Sequence, residues 1–136
     1  MIVDNKLMDF NNMKKKILLV DDDEIMLGVA NAVLSDEYEV ALEKSGKDAL
    51  NMVKNDYKPD LILLDVLMPD MDGWETFNKL REISSMRNVP IAFLTSIHDK
   101  EAVKRSVAMG ALDFITKPFD RIDLKTRVKK ILETKG

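Results

Sequence analysis

Leu61-Ile62-Leu63-Leu64-Asp65 is a short unbroken apolar run that stops on a carboxylate, and the rest of the chain is organised like it. Upstream, Ile17-Leu18-Leu19-Val20 ends in Asp21-Asp22; downstream, the run 91–94 ends in Thr95 and Phe114-Ile115-Thr116 ends in Lys117. Strands that are apolar at every position, rather than at every second one, belong to a parallel sheet buried on both faces. Ligand sites of such sheets lie outside the carboxyl ends of the strands, so these polar side chains are expected to meet in one crevice.

Between the runs the apolar spacing turns helical. Strand 16–20 leads to a helix over 24–34, with Ile25, Val29 and Val33 at i, i+4 and i+8 as its expected stripe. Strand 38–42 leads to a helix opening near Gly46, with Ala49, Leu50 and Val53 on one face, and Lys58-Pro59 stops it because a residue before proline is pushed out of helical geometry. Strand 61–64 is followed by the loop 68–73 and a helix carrying Phe77, Leu80 and Ile83. Pro90 begins the fourth strand, Val103 and Val107 mark the next helix, and Gly110 suits a left-handed cap at its end. A fifth strand over 113–116 precedes a last helix with Leu124, Val128, Ile131 and Leu132 at i, i+4, i+7 and i+8. Five strand-helix pairs predict an α/β fold, a parallel sheet with helices on both faces.

The 136 residues match a single domain, and 46% hydrophobic content gives it one real core. Residues 14–136 form that domain; residues 1–13 fall outside the pattern and are expected to be a flexible extension. There is no cysteine, which removes disulfides and thiolate metal sites and suits a cytoplasmic protein. A net charge of -3 offers no broad basic field for nucleic acid or an anionic membrane surface. No apolar stretch approaches the roughly 20 residues of a membrane helix.

Three aspartates in one crevice repel one another unless a cation intervenes. Magnesium, or manganese, suits such a site, since it takes oxygen ligands and is commonly held by one or two carboxylates plus phosphate oxygens. Next to Asp65 it would neutralise an incoming phosphoryl group and leave the carboxylate free to attack, as in aspartyl-phosphate chemistry. Lys117 and the Thr95 hydroxyl would complete the clamp on the phosphoryl oxygens.

Four stretches together, ILLVDDDE (17–24), LILLDVLMPDMDG (61–73), Leu94-Thr95-Ser96 and DFITKPF (113–119), resemble the signature set of a bacterial response-regulator receiver domain of the chemotaxis-regulator type. The likeness covers about residues 14–135, and four motifs in order are far more specific than any one. It implies a flavodoxin-like, doubly wound sheet of five strands in the order 2-1-3-4-5, flanked by five helices. By resemblance Asp65 is the phospho-acceptor, Asp22 a direct metal ligand, Asp21 a ligand acting through water and Leu67 the donor of a backbone carbonyl to the metal. Thr95 and Lys117 match the hydroxyl and lysine that bind the phosphoryl group, and Thr95 with Phe114 matches the conformational switch. A cis bond before Pro118 is implied as well.

The resemblance further implies a two-component signalling switch that accepts a phosphoryl group from the phosphohistidine of a sensor kinase or phosphotransfer protein. It would catalyse only its own phosphorylation and dephosphorylation. The modified form would present the fourth helix, fifth strand and fifth helix to a downstream protein or tethered output domain, a phosphorylation-dependent homodimer being a further option. Leu67 and Ile97 stand where the family sets the lifetime of the acyl phosphate, and neither side chain can hydrogen-bond an attacking water.

Each residue also has a plainer reading. The acidic run 21–24 suits a helix start, with Asp23 as its cap, and Lys117 before Pro118 suits an exposed loop. His98 without a partner reads as a solvated loop residue, the methionines as gap-fillers and Trp74 as an anchor of the third helix. Two other functions stay open. A magnesium-dependent phosphohydrolase of the dehalogenase type wants a second aspartate where this chain has Leu67, and a phosphorylation-independent binding module has no need of the intact acidic set. A flavodoxin would carry a hydroxyl- and glycine-rich loop after its first strand, where Asp21 and Asp22 stand. Whether the chain acts alone or belongs to a longer regulator is left open.

Overall fold

The computed structural model of the protein describes residues 14–135. Its elements alternate without exception: β1 Lys16–Val20, α1 Glu24–Leu34, β2 Glu39–Glu43, α2 Gly46–Lys54, β3 Leu61–Leu64, α3 Gly73–Glu82, β4 Ile91–Thr95, α4 Lys100–Met109, β5 Phe114–Thr116 and α5 Arg121–Lys135. A 3-10 turn, Ser84–Met86, follows α3. All strand pairs are parallel, and their order is β2-β1-β3-β4-β5, the arrangement that the family resemblance implies.

Successive side chains of a strand point to opposite faces, so unbroken apolar strands feed two cores at once. Leu18, Val20, Ile62, Leu64 and Phe93 meet Ala49, Leu50, Val53, Trp74, Phe77 and Leu80 on the side of α2 and α3, where Ala102 of α4 joins them. Ile17, Leu19, Leu61, Leu63 and Leu94 meet Leu27, Ala30, Val33 and Leu34 of α1, and Leu124, Val128, Ile131 and Leu132 of α5. The helices start where side chains can satisfy free backbone N–H groups. Asp23, Ser45, Asp72 and Asp99 each accept from the first turn, and such a cap contributes about 1 kcal/mol. Gly110 closes α4 with φ 95°, a left-handed conformation that costs glycine little.

Two expected stripes face the other way. Ile25 and Val29 are exposed, and α1 is instead held by Leu27, Ala30, Val33 and Leu34. Val103 and Val107 are exposed too, and α4 packs through the small side chains of Ala102 and Ser106. Of the expected α1 stripe only Val33 is buried, and both expected residues of α4 face outward; spacing cannot say which stripe the sheet takes. β2 begins at Glu39 rather than 38, β4 at Ile91 rather than Pro90, and β5 at Phe114 rather than 113; Ile83 caps α3 instead of extending it. The expectation for residues 1–13 lies outside the described residues. Among the described residues no helix is long and apolar enough to cross a membrane.

Candidate phosphoryl-transfer site

Strand register brings the polar residues together. Val20 pairs with Leu64 across β1 and β3, so Asp21 and Asp65 leave adjacent strands at the same level. Thr95 pairs with Thr116 across β4 and β5, which sets Lys117 just beyond the same edge. Hydrogen bonds continue the ladder past the strand ends: the Asp65 N–H donates to Val20 O at 2.9 Å and the Lys117 N–H to Thr95 O at 2.9 Å. The backbone thus fixes where each of these four side chains starts.

Asp21 and Asp65 are buried, 6% and 5% exposed, while Asp22 is exposed at the mouth. Each of the three offers a carboxylate oxygen, and these oxygens lie within 4.8 Å of one another. The Lys117 ammonium reaches between two of them, hydrogen-bonded to Asp21 Oδ2 and 3.4 Å from Asp65 Oδ2. Burial pushes the Asp21 carboxyl above the usual carboxylate range; hydrogen bonds from Lys117 and from the Asp23 N–H oppose this, and the charge of Asp65 adds to it. Burial also works against the Lys117 ammonium, but its hydrogen bond to Asp21 and the charges of Asp65 and Asp21 outweigh that and raise its pKa. One ammonium thus serves two carboxylates, and its bond to Asp21 does not cancel the effect of burial there.

The donor set fits a hard divalent cation. Magnesium takes oxygen ligands and is commonly held by one or two carboxylates, and three carboxylate oxygens within 4.8 Å of one another are a donor set of that kind. Three carboxylates against one lysine leave negative charge that such an ion would neutralise.

Thr95 is fully buried, and its hydroxyl oxygen accepts from the Ile97 N–H at 3.3 Å. Phe114 is half-buried on β5, its ring 6.2 Å from that of Phe93. The Leu67 N–H lies 3.4 Å from Asp65 Oδ1, and the Leu67 side chain points to solvent. Lys117-Pro118 is cis. His98 is exposed, and Trp74 packs its ring 4.8 Å from Phe93 and 4.5 Å from the Arg105 guanidinium.

One residue that shapes the site, Gly73, closes the 61–73 motif but had no expected role there. The chain turns back at Asp70, φ 68°, and seats Gly73 directly on the end of β3. A Cβ on Gly73 would stand 2.7 Å from Val66 Cα, 2.9 Å from the Asp65 carbonyl carbon and closer still to its oxygen. Gly73 therefore packs against the backbone that carries Asp65. Its signals in the sequence were its place at the end of the 61–73 motif and just inside an aspartate N-cap.

The profile of the response regulator receiver domain family matches residues 17–129. The chain is 36% identical over 121 residues to the chemotaxis protein CheY of Halobacterium salinarum, covering 88% of this chain and 98% of that protein. It is 38% identical over 124 residues to the response regulator PleD of Caulobacter vibrioides, covering 90% of this chain but only 27% of PleD. Among solved structures, the chemotaxis protein CheY4 of Vibrio cholerae superposes with a TM-score of 0.81 at 30% identity, over 87% of this chain and 98% of that one. Profile, relatives and fold agree with the crevice just described: the chain belongs to the response regulator receiver domain family.

Proposed function

We propose that the protein is a phosphorylation-activated signalling switch whose phospho-acceptor is Asp65. The observation that carries this reading is the Asp65 carboxylate, buried at the end of β3, 3.4 Å from one ammonium and clustered with the carboxylates of Asp21 and Asp22. An Asp65 oxygen attacks the phosphorus of a phosphohistidine; the P–N bond breaks, its electron pair returns to the imidazole, and an aspartyl phosphate forms. The donor is a sensor kinase or a histidine phosphotransfer protein.

Asp22, Asp65 and the Leu67 carbonyl would hold magnesium, with Asp21 acting through water. When bound, the ion supplies positive charge that offsets the charge of the phosphoryl group. Lys117 holds its ammonium toward the same oxygens, and the Thr95 hydroxyl donates a hydrogen bond to one of them. In the phosphorylated state Thr95 would turn its hydroxyl, which now accepts from the Ile97 N–H, toward the phosphoryl group, and Phe114 on the neighbouring strand would move inward. The phosphoryl group thus favours a second packing of α4, β5 and α5, a shift of population between two states. Val103, Val107, Leu112 and Ile122 are exposed on α4, before β5 and on α5, which supports this face as the one a downstream protein, a second copy or a tethered output domain reads.

The test is incubation with magnesium and acetyl phosphate or phosphoramidate, followed by intact-mass measurement. One phosphoryl group is expected on the wild type, none on Asp65→Asn, and no turnover of a generic phosphoester. Equal uptake by Asp65→Asn, or none by the wild type with magnesium present, rejects the assignment.

A further inference from the structure

Away from the crevice, α2 and α3 frame an open groove of about 590 Å³. Gly46 brings the two helices so close at their N-terminal ends that an added Cβ would run into Thr76 and come within 3.2 Å of Met71 Sδ. From that crossing the groove opens toward Lys54 and Ile83 near the C-terminal ends. Its floor is apolar, with Leu50, Met71 and Ile83. Its rim is cationic, with Lys47 and Lys54 on α2 and Lys79 on α3, opposed inside the groove only by Glu82.

The spacing is specific. Lys47, Leu50 and Lys54 stand at i, i+3 and i+7, one stripe of α2, which sets the two ammonium groups' backbones about 10 Å apart with an apolar residue between them. Among the described residues neither Lys47 nor Lys54 forms an ion pair, whereas Lys79 faces Glu75 at 3.9 Å. A polyanion such as nucleic acid is a poor match, because Asp48, Glu75 and Glu82 flank the lysines and the floor offers nothing to a phosphate. An amphipathic helix that carries carboxylates two turns apart, with an apolar residue between them, matches charge and floor together.

We propose that the α2–α3 groove is a docking site for an acidic amphipathic helix of a partner protein, its paired carboxylates on Lys47 and Lys54 and its apolar residue on Leu50, Met71 and Ile83. The site is separate from the α4, β5 and α5 face and does not depend on phosphorylation of Asp65.

The probe is a synthetic helical peptide with two glutamates seven residues apart and leucines at the third and fourth positions between them, titrated into isotope-labelled full chain by NMR. Saturable shifts are expected at Lys47, Leu50, Lys54 and Ile83. The double reversal Lys47→Glu, Lys54→Glu weakens binding by about tenfold or more, and a peptide with lysines in place of its glutamates binds that variant better than the wild type. Lys47→Gln, Lys54→Gln repeats the loss without a new charge, and circular dichroism melts establish that both variants fold. The proposal fails if the peptide produces no saturable shift in the groove, if its shifts map to α4 and β5, or if the folded reversal binds as the wild type does. It fails equally if a duplex DNA oligonucleotide gives the same shifts with the same affinity, since the lysines would then be a general anion surface.

Discussion

Gly73→Ala isolates the packing that sets the acceptor loop. The new methyl would stand 2.7 Å from Val66 Cα and 2.9 Å from the Asp65 carbonyl carbon, and both obstacles are backbone, which cannot swing aside as a side chain would. Either α3 moves outward or the end of β3 does. Forcing extra volume into a packed position costs about 1–3 kcal/mol, and backbone obstacles put this case at the upper part of that range, about 2–3 kcal/mol. For a chain of this size that is a fall in Tm of roughly 6–12 °C. Since the displaced backbone carries Asp65, phosphoryl uptake slows by about 10- to 100-fold. Two companion substitutions separate sterics from helix propensity. At Gly28, inside α1, an added Cβ meets nothing within 4 Å, so Gly28→Ala stabilises by about 1 kcal/mol and raises Tm by roughly 3 °C. At Gly46 the obstacle is the Thr76 side chain, whose hydroxyl donates to Asp72 O at 2.8 Å; giving up that bond makes Gly46→Ala intermediate, about 1–2 kcal/mol destabilising. The assays are thermal melts by circular dichroism and mass-monitored uptake from acetyl phosphate. A Gly73→Ala protein that melts within about 2 °C of wild type and takes up phosphate at the wild-type rate refutes the reasoning.

Arg81 donates from one guanidinium nitrogen to Met86 O and Val89 O, each at 2.7 Å, and lies 4.9 Å over the Phe77 ring, so Arg81→Ala is expected to cost about 2–3 kcal/mol in chemical denaturation, with Arg81→Lys restoring less than half. The Tyr57 hydroxyl is buried without a partner among the described residues, so Tyr57→Phe at neutral pH leaves stability unchanged or raises it by up to about 1 kcal/mol. Burial, then the charges of Glu39 and Asp60, lift the Tyr57 pKa above the usual tyrosine value, so the folded state holds this proton longer than the unfolded chain does. The associated stability is complete below about pH 10 and is lost as pH climbs through the folded-state value. Tyr57→Phe should flatten that alkaline decline only in part, because Tyr38 is shifted the same way, and denaturation midpoints measured from about pH 8 to about pH 12 (roughly two units on either side of the usual tyrosine value) check it. Leu67→Asn with Ile97→Glu is expected to shorten the lifetime of the acyl phosphate; equal decay of the phosphorylated mass peak in variant and wild type removes the idea.

The strands and the crevice were legible because one physical condition produces both signals. A parallel strand buried on two faces is apolar at every position, so 17–20, 61–64 and 91–94 stand out, and the residue after each run must lie at the carboxyl edge where Asp21, Asp65 and Thr95 are found. Helix orientation carries no such redundancy. α1 offers Ile25 and Val29 on one stripe and Leu27, Ala30 and Leu34 on another, and only contact with β1 and β3 selects the second. α4 was harder, since it approaches the sheet through Ala102 and Ser106; a helix that packs closely uses small side chains, and a count of large apolar residues then points outward. Ser106 can be buried because its hydroxyl returns a 2.7 Å hydrogen bond to Val103 O. Gly73 and Arg81 make their contacts within a few turns of the chain, Gly73 on Asp65 and Val66 and Arg81 on Met86 and Val89, but apolar periodicity carries no signal for a backbone approach or a side chain that returns to carbonyls. The misread stripes carry information of their own. On α4 Val107 is 69% exposed, and Leu112 at 42% and Ile122 at 74% lie before β5 and on α5, the elements proposed to change with phosphorylation, although Ile25, 77% exposed on α1, is misread outside them. α4 has only two buried residues, both small, with Met109 and Arg105 packed beside them, and it carries an apolar outer stripe; these are properties a helix needs if it is to shift against the sheet and be covered by a partner once it has done so.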